Sequence, residues 1–227
     1  QAGARPHGVA DVMEAAVLQG GRIPLKQGVV AGLGAIISIG SGASVGREGP
    51  AVHIGASLAS SLGQRLKLSR SLSLTLLGCG VAAAVSASFN APIAGAFFAL
   101  EVVIGHYALS AFAPVVIASV AGTIVARIHL GDFPAFVLGD FELVSFLELP
   151  AFALLGVVCA AISVVFMRSI LLTRSVWQRT NVPTWLRPAI GGAAVGALAL
   201  VLPEILGVGY EATDRALHGA LPLWLLI

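Results

Sequence analysis

Between Lys26 and Arg47 no Asp, Glu, Lys or Arg interrupts the chain. The same holds between Glu48 and Arg65, Arg70 and Glu101, Glu101 and Arg127, Glu148 and Arg168, and Arg187 and Glu204. Charge-free windows in this number leave lipid as the solvent in which the chain can be stable. Hydrophobic residues make up 57% and charged residues 11% of the sequence, against about 25% charged in a soluble domain. Several windows are shorter than the about 20 residues of a straight crossing. The longest is broken at Phe89-Asn90-Ala91-Pro92, where proline removes a donor and ends a helix. The expected fold is therefore all-α and integral to a membrane, with short, broken and re-entrant helices.

A broken helix at membrane depth persists only where its free backbone groups face protein, water or an ion, which is how transporters and channels build their sites. Glycines in small-xxx-small spacing, Gly28/Gly32, Gly42/Gly46 and Gly192/Gly196, predict close helix approach. The segment 131–148 reads as an extramembrane loop carrying Asp132, Asp140, Glu142 and Glu148. Arg168, Arg174, Arg179 and Arg187 follow the next span, which makes that side cytoplasmic by the positive-inside rule. Arg65, Lys67 and Arg70 share it if the segments near 71–90, 92–104 and 109–128 each reverse direction. Thirteen basic and eleven acidic residues leave a formal charge of +2, too little to draw the chain to nucleic acid. Cys79 and Cys159 lie in separate apolar stretches and read as small buried residues, and the histidines show no metal-ligand spacing.

The chemistry concentrates in Gly40-Ser41-Gly42-Ala43-Ser44-Val45-Gly46-Arg47-Glu48-Gly49-Pro50, ahead of an apolar helical stretch. Pro50 suits a first helical turn, and the glycines before it leave N–H groups bare and approachable. Those groups and the helix dipole favour negative charge. A carboxylate here is expensive unless it faces a cavity or partner. Glu48 can occupy the spot that a free anion would take, so side chain and ion compete for the same donors, and protonation removes the carboxylate's claim. The plainer reading is a helix cap paired with Arg47.

Gly46-Arg47-Glu48-Gly49-Pro50, with Phe89-Asn90-Ala91-Pro92-Ile93-Ala94-Gly95 and Glu101, closely resembles the CLC family of chloride channels and chloride/proton antiporters. The resemblance extends from Gly8-Val9-Ala10-Asp11 to Gly207-Val208-Gly209-Tyr210. It implies an inverted-repeat fold, a homodimer with one pore per subunit, chloride as the transported ion and no cofactor. On it, 1–130 is most of the first half, 131–148 a loop and 149–227 the truncated start of the second, so the chain is expected to be a fragment. The expected location is the cell membrane of a prokaryote, crossed several times.

By that resemblance Glu48 is the gate, and Gly46, Arg47, Glu48, Gly49 and Pro50 line the outer anion site. His7 and Gly8 stand in the first anion motif, where His7 replaces a serine and Ala10 a proline. The proton path would run from Glu48 towards Glu101 and Val102, and Val102 stands where antiporters of the family keep a titratable glutamate. The implied function is a passive chloride channel gated by voltage or pH. A chloride/proton antiporter and a non-conducting membrane scaffold are the alternatives. Gly42-Ala43-Ser44-Val45-Gly46 also matches a hydrolase nucleophile elbow, with His53, His106 and His129 as candidate bases, but that elbow requires a preceding strand.

Overall fold

The computed structural model describes residues 8–132, 136 and 145–222. All regular structure among them is helical. They form two compact units, one of residues 1–137 with 198–227 and one of residues 138–197.

The first unit begins with α1 (Val9–Leu18), α2 (Leu25–Gly40), α3 (Glu48–Arg65) and α4 (Arg70–Phe89). Ser69 opens α4, its hydroxyl accepting from the Leu72 N–H at 3.4 Å, as an N-cap serine does. The expected break follows. Asn90 ends α4 in the left-handed conformation at φ 54°, which asparagine tolerates better than most residues. Pro92 then opens α5 (Pro92–Phe98), where its missing N–H costs no helical bond. A π-helical turn, Ala99–Ile104, continues α5 and closes on left-handed Gly105, whose N–H reaches back to Leu100 O at 2.8 Å. α6 (Leu109–Leu130) completes this group. Tyr210–Leu217 forms the last helix of the same unit.

Small residues set how closely these helices pack. A β-carbon on Gly80 would overlap the Gly55 carbonyl oxygen, and one on Gly55 the Gly80 oxygen, so α3 and α4 cross with backbones touching. Gly28 of α2 lies against Ser57, and Gly32 against Ile54, so this spacing does serve helix packing. Gly42 instead turns the chain after α2 at φ 87°. Among the described residues nothing lies within 4 Å of where a β-carbon would stand on Gly192 or Gly196, so neither of those pairs packs described helices together. Around the break, Ser119 donates to the Pro92 carbonyl and shares a hydrogen bond with Ser86. Those hydroxyls tie α6 to the start of α5 and to α4 at the break. Leu77, Val81, Leu100 and Val115 form the fully buried centre, with half-buried Cys79 against it.

The second unit is dominated by α7 (Leu149–Arg179), 31 residues with no buried side chain. Cys159, expected to be buried, is exposed on it, because among the described residues nothing buries any side chain of this helix. α8 (Arg187–Ala199) follows. Arg70–Phe89, Leu109–Leu130 and Leu149–Arg179 are long and apolar enough to cross a membrane. The expected loop falls largely outside the described residues, including Asp140 and Glu142.

Candidate functional site

α3 begins at Glu48, with Arg47 as its cap residue and Pro50 in its first turn. The first backbone bond of the helix runs from Ala51 N–H to Arg47 O at 3.1 Å. Among the described residues, no acceptor takes the backbone N–H of Gly46, Arg47, Glu48 or Gly49. These are the donors a helix N-terminus presents to an anion. Pro50 has none to add, and its fixed φ suits the turn.

The half-buried Glu48 side chain turns back toward Gly46. Its Oε2 lies 2.5 Å from where a β-carbon on Gly46 would stand, so only glycine leaves room for the carboxylate there. Oε1 accepts a hydrogen bond from the Tyr210 hydroxyl at 3.2 Å. The Tyr210 ring lies under the Arg47 guanidinium, 4.8 Å from its centroid, a cation–π contact. On its other flank it stacks with Phe136, centroids 5.5 Å apart. Arg47 Nη2 donates to the Ser88 carbonyl at 2.8 Å, which ties the start of α3 to the end of α4. Arg47 is thus held by Ser88 and Tyr210 rather than by Glu48. Neither Tyr210 nor Ser88 was legible as a site residue from the sequence.

Gly8 caps α1 beside this point. A β-carbon on Gly49 would lie 3.8 Å from Gly8 Cα, so the N-termini of α1 and α3 meet. The Gly8 N–H donates to Asp11 Oδ2 at 3.0 Å, so Asp11, another residue not singled out, already uses that donor. His7 lies outside the described residues. A groove of about 1010 Å³ opens next to the site between α4 and α6, with Arg47, Asn90, Arg127 and Tyr210 in its wall. At its mouth Arg127 Nε bonds Asn90 Oδ1 at 2.7 Å and pairs with Asp132 at 3.1 Å.

Glu101 and Val102 stand on the π-helical turn, a geometry frequent at functional sites. Val102 packs against the core. Glu101 is exposed and accepts from the Tyr107 hydroxyl at 3.2 Å. Desolvation, and then the bond to and charge of Glu101, raise the Tyr107 phenol above its ordinary value. His106 accepts from the Ala108 N–H at 3.3 Å, and His129 Nδ1 bonds the Val125 carbonyl at 2.9 Å. Both are engaged locally, and His53 is buried within α3. Ser44 lies in the turn between α2 and α3, with α2 rather than a strand ahead of it, so the hydrolase geometry is missing.

Residues 1–227 match a family described as voltage gated chloride channel. The chain is 34% identical over 212 residues to the chloride channel protein CLC-f of Arabidopsis thaliana, which covers 87% of this chain and 27% of that protein. It is 30% identical over 229 residues to a voltage-gated ClC-type chloride channel ClcB of Escherichia coli, covering 98% of this chain and 53% of the relative. The chain therefore spans about half the length of the bacterial relatives it matches. Among solved structures, a CLC-type fluoride/proton antiporter superposes with TM-score 0.76 at 27% identity, covering 92% of this chain and 54% of that one. A slow cyanobacterial Cl−/H+ antiporter superposes with TM-score 0.75 at 22% identity, with the same coverage of both chains.

Proposed function

Because the chain belongs to the voltage gated chloride channel family, we propose that it supplies the gated half of a pathway for chloride, with Glu48 as the gate. Residues 1–130 act as most of one inverted half and 149–227 as the opening of the next, in a homodimer of the complete protein. The observation that carries this reading is the Glu48 carboxylate turned back toward Gly46 at a helix start whose amides from Gly46 to Gly49 have no acceptor among the described residues. A carboxylate in that place is a tethered anion, and a permeating chloride replaces it.

Tyr210 acts here as a positioning residue, since it touches the carboxylate rather than the ion's donors. Removing its hydroxyl with Tyr210→Phe takes one donor from Glu48 Oε1 and frees the gate more often. Chloride flux at neutral pH through the full-length protein in vesicles should rise about two- to tenfold, because a hydrogen bond to a charged group contributes about 1.5–3 kcal/mol when sheltered and less when half open. The pH dependence should persist, since Glu48 is still present. An unchanged flux would show that the bond does not restrain the gate.

Passive conduction follows from Val102, which has no titratable group and sits against the core. Coupled exchange has a specific observation in its favour as well: the solvent-reachable Glu101, held by Tyr107 one residue from that position. The reversal potential of the full-length protein in a bilayer, under a proton gradient with symmetric chloride, separates the two. The channel reading expects no shift. A definite shift that disappears in Glu101→Gln would establish the exchanger with Glu101 as its inner proton carrier.

A further inference from the structure

At the end of α3 and α4 away from Glu48 the chain builds a second concavity, of about 620 Å³. Its wall comes from the α1–α2 turn with Gly20, Gly21 and Arg22, the end of α3 with Gln64 and Lys67, and Arg70 at the start of α4. Arg22, Lys67 and Arg70 are cations, and no acidic residue lines it among the described residues.

The backbone fixes this arrangement. Gly20 and Gly21 take φ of 62° and 79°, and the Arg70 side chain lies across Gly20, its Cγ 3.5 Å from where a β-carbon would stand. Lys67 is itself left-handed at φ 51°, a conformation that favours glycine. Arg70 Nη2 donates to the Val17 carbonyl at 3.2 Å and so caps α1. Ser60 Oγ accepts from Ile23 N–H at 2.8 Å and from Gln64 Nε2 at 3.1 Å. These bonds account for Arg70 and Gln64. They leave the side chains of Arg22 and Lys67 with no hydrogen bond or ion pair among the described residues, two cations beside a third with no carboxylate to balance them.

α4 is apolar enough to span the membrane and starts at Arg70, so the concavity lies where a span leaves the hydrocarbon. Leu18, in its wall, is exposed, and so are Leu62, Leu66 and Leu72, the chain neighbours of its lining residues Gly63, Lys67 and Ser73. A small soluble anion would satisfy the cations and leave the leucines bare. An anion carrying acyl chains matches both, and basic pockets between spans on the cytoplasmic side suit phosphorylated headgroups. We propose that this concavity binds the phosphomonoester headgroup of an anionic membrane lipid. Arg22 offers a guanidinium fork to two phosphate oxygens, Lys67 closes from the α3 side, and the leucines contact the chains.

The test is a titration of detergent-solubilised full-length protein with a short-chain phosphatidic acid bearing a fluorophore on its tail. Phosphatidylcholine with the same tails is the reference, and glycerol 3-phosphate the soluble competitor. Phosphatidic acid should bind at least tenfold more tightly than the phosphatidylcholine. Arg22→Gln and Lys67→Gly should each weaken it about fivefold, the factor that corresponds to about 1 kcal/mol per surface cation. Lys67→Gly is the safer variant, because glycine accepts the left-handed backbone. Arg127→Gln, at the opposite end of the helices, should leave binding unchanged. Equal binding by parent and Lys67→Gly would overturn the site. Displacement by glycerol 3-phosphate at concentrations similar to the lipid's own would overturn the lipid as its occupant and leave a soluble phosphate.

Discussion

Replacing Glu48 with glutamine in the full-length protein should raise chloride flux at neutral pH about tenfold or more and flatten its dependence on pH. On the proposed reading the carboxylate takes the place beside the amides of Gly46 to Gly49 that an ion would occupy and repels that ion with a full charge. Glutamine has nearly the same shape and no charge to set against the ion. In the parent, protonating Glu48 removes the same competitor, so flux should rise on acidification. In Glu48→Gln the route should already be open at every pH. The measurement is chloride efflux from vesicles across a pH series, with parent and variant at equal protein density. If the variant retains the parent's profile, Glu48 is only a helix cap.

Gly80→Ala should have the largest effect on stability among single methyl additions. The added carbon would meet the Gly55 carbonyl oxygen and lie 2.6 Å from Ala59 Cβ. Two backbones in contact cannot yield as a flexible side chain does, so the cost should reach or exceed the upper end of the about 1–3 kcal/mol usual for overpacking. Gly34→Ala is the matched control, since nothing among the described residues lies within 4 Å of its β-carbon position. There, helix propensity predicts a gain of about 0.5–1 kcal/mol. Thermal unfolding of the two purified variants should shift in opposite directions. Equal shifts would mean that the α3–α4 crossing does not limit stability.

What the sequence disclosed was chemistry confined to neighbours along the chain. The break at Asn90 to Pro92 is legible because proline and a left-handed asparagine act within one turn. Glu48 at a helix start is legible for the same reason, from glycines before it and proline after. Tyr210 is not, because its contact with Glu48 joins residues 162 apart in the chain, and no local pattern marks it. The π-helical turn at Ala99–Ile104 also escapes local reading. Its Ile104 fills the space over Gly78 of α4, and the apolar residues there are equally suited to an ordinary α-helix. Small-xxx-small spacing was right for Gly28 and Gly32 but not for Gly42 and Gly46, because spacing does not report whether a segment remains helical. Asp11 was passed over because its acceptor role appears only once Gly8 is seen to cap α1.

The crossing of Gly55 on Gly80 also sets a clock. With the two backbones in contact, α3 cannot tilt or slide without carrying α4, and rearrangements of packed helices take microseconds to milliseconds. The Glu48 side chain, by contrast, is restrained among the described residues by the Tyr210 hydroxyl and can turn about its own bonds, a motion of picoseconds to nanoseconds once released. On the proposed reading, opening at Glu48 has no need to wait for the scaffold: the slow step becomes the arrival of a proton or an ion, and the frame behind the side chain stays at rest while ions pass.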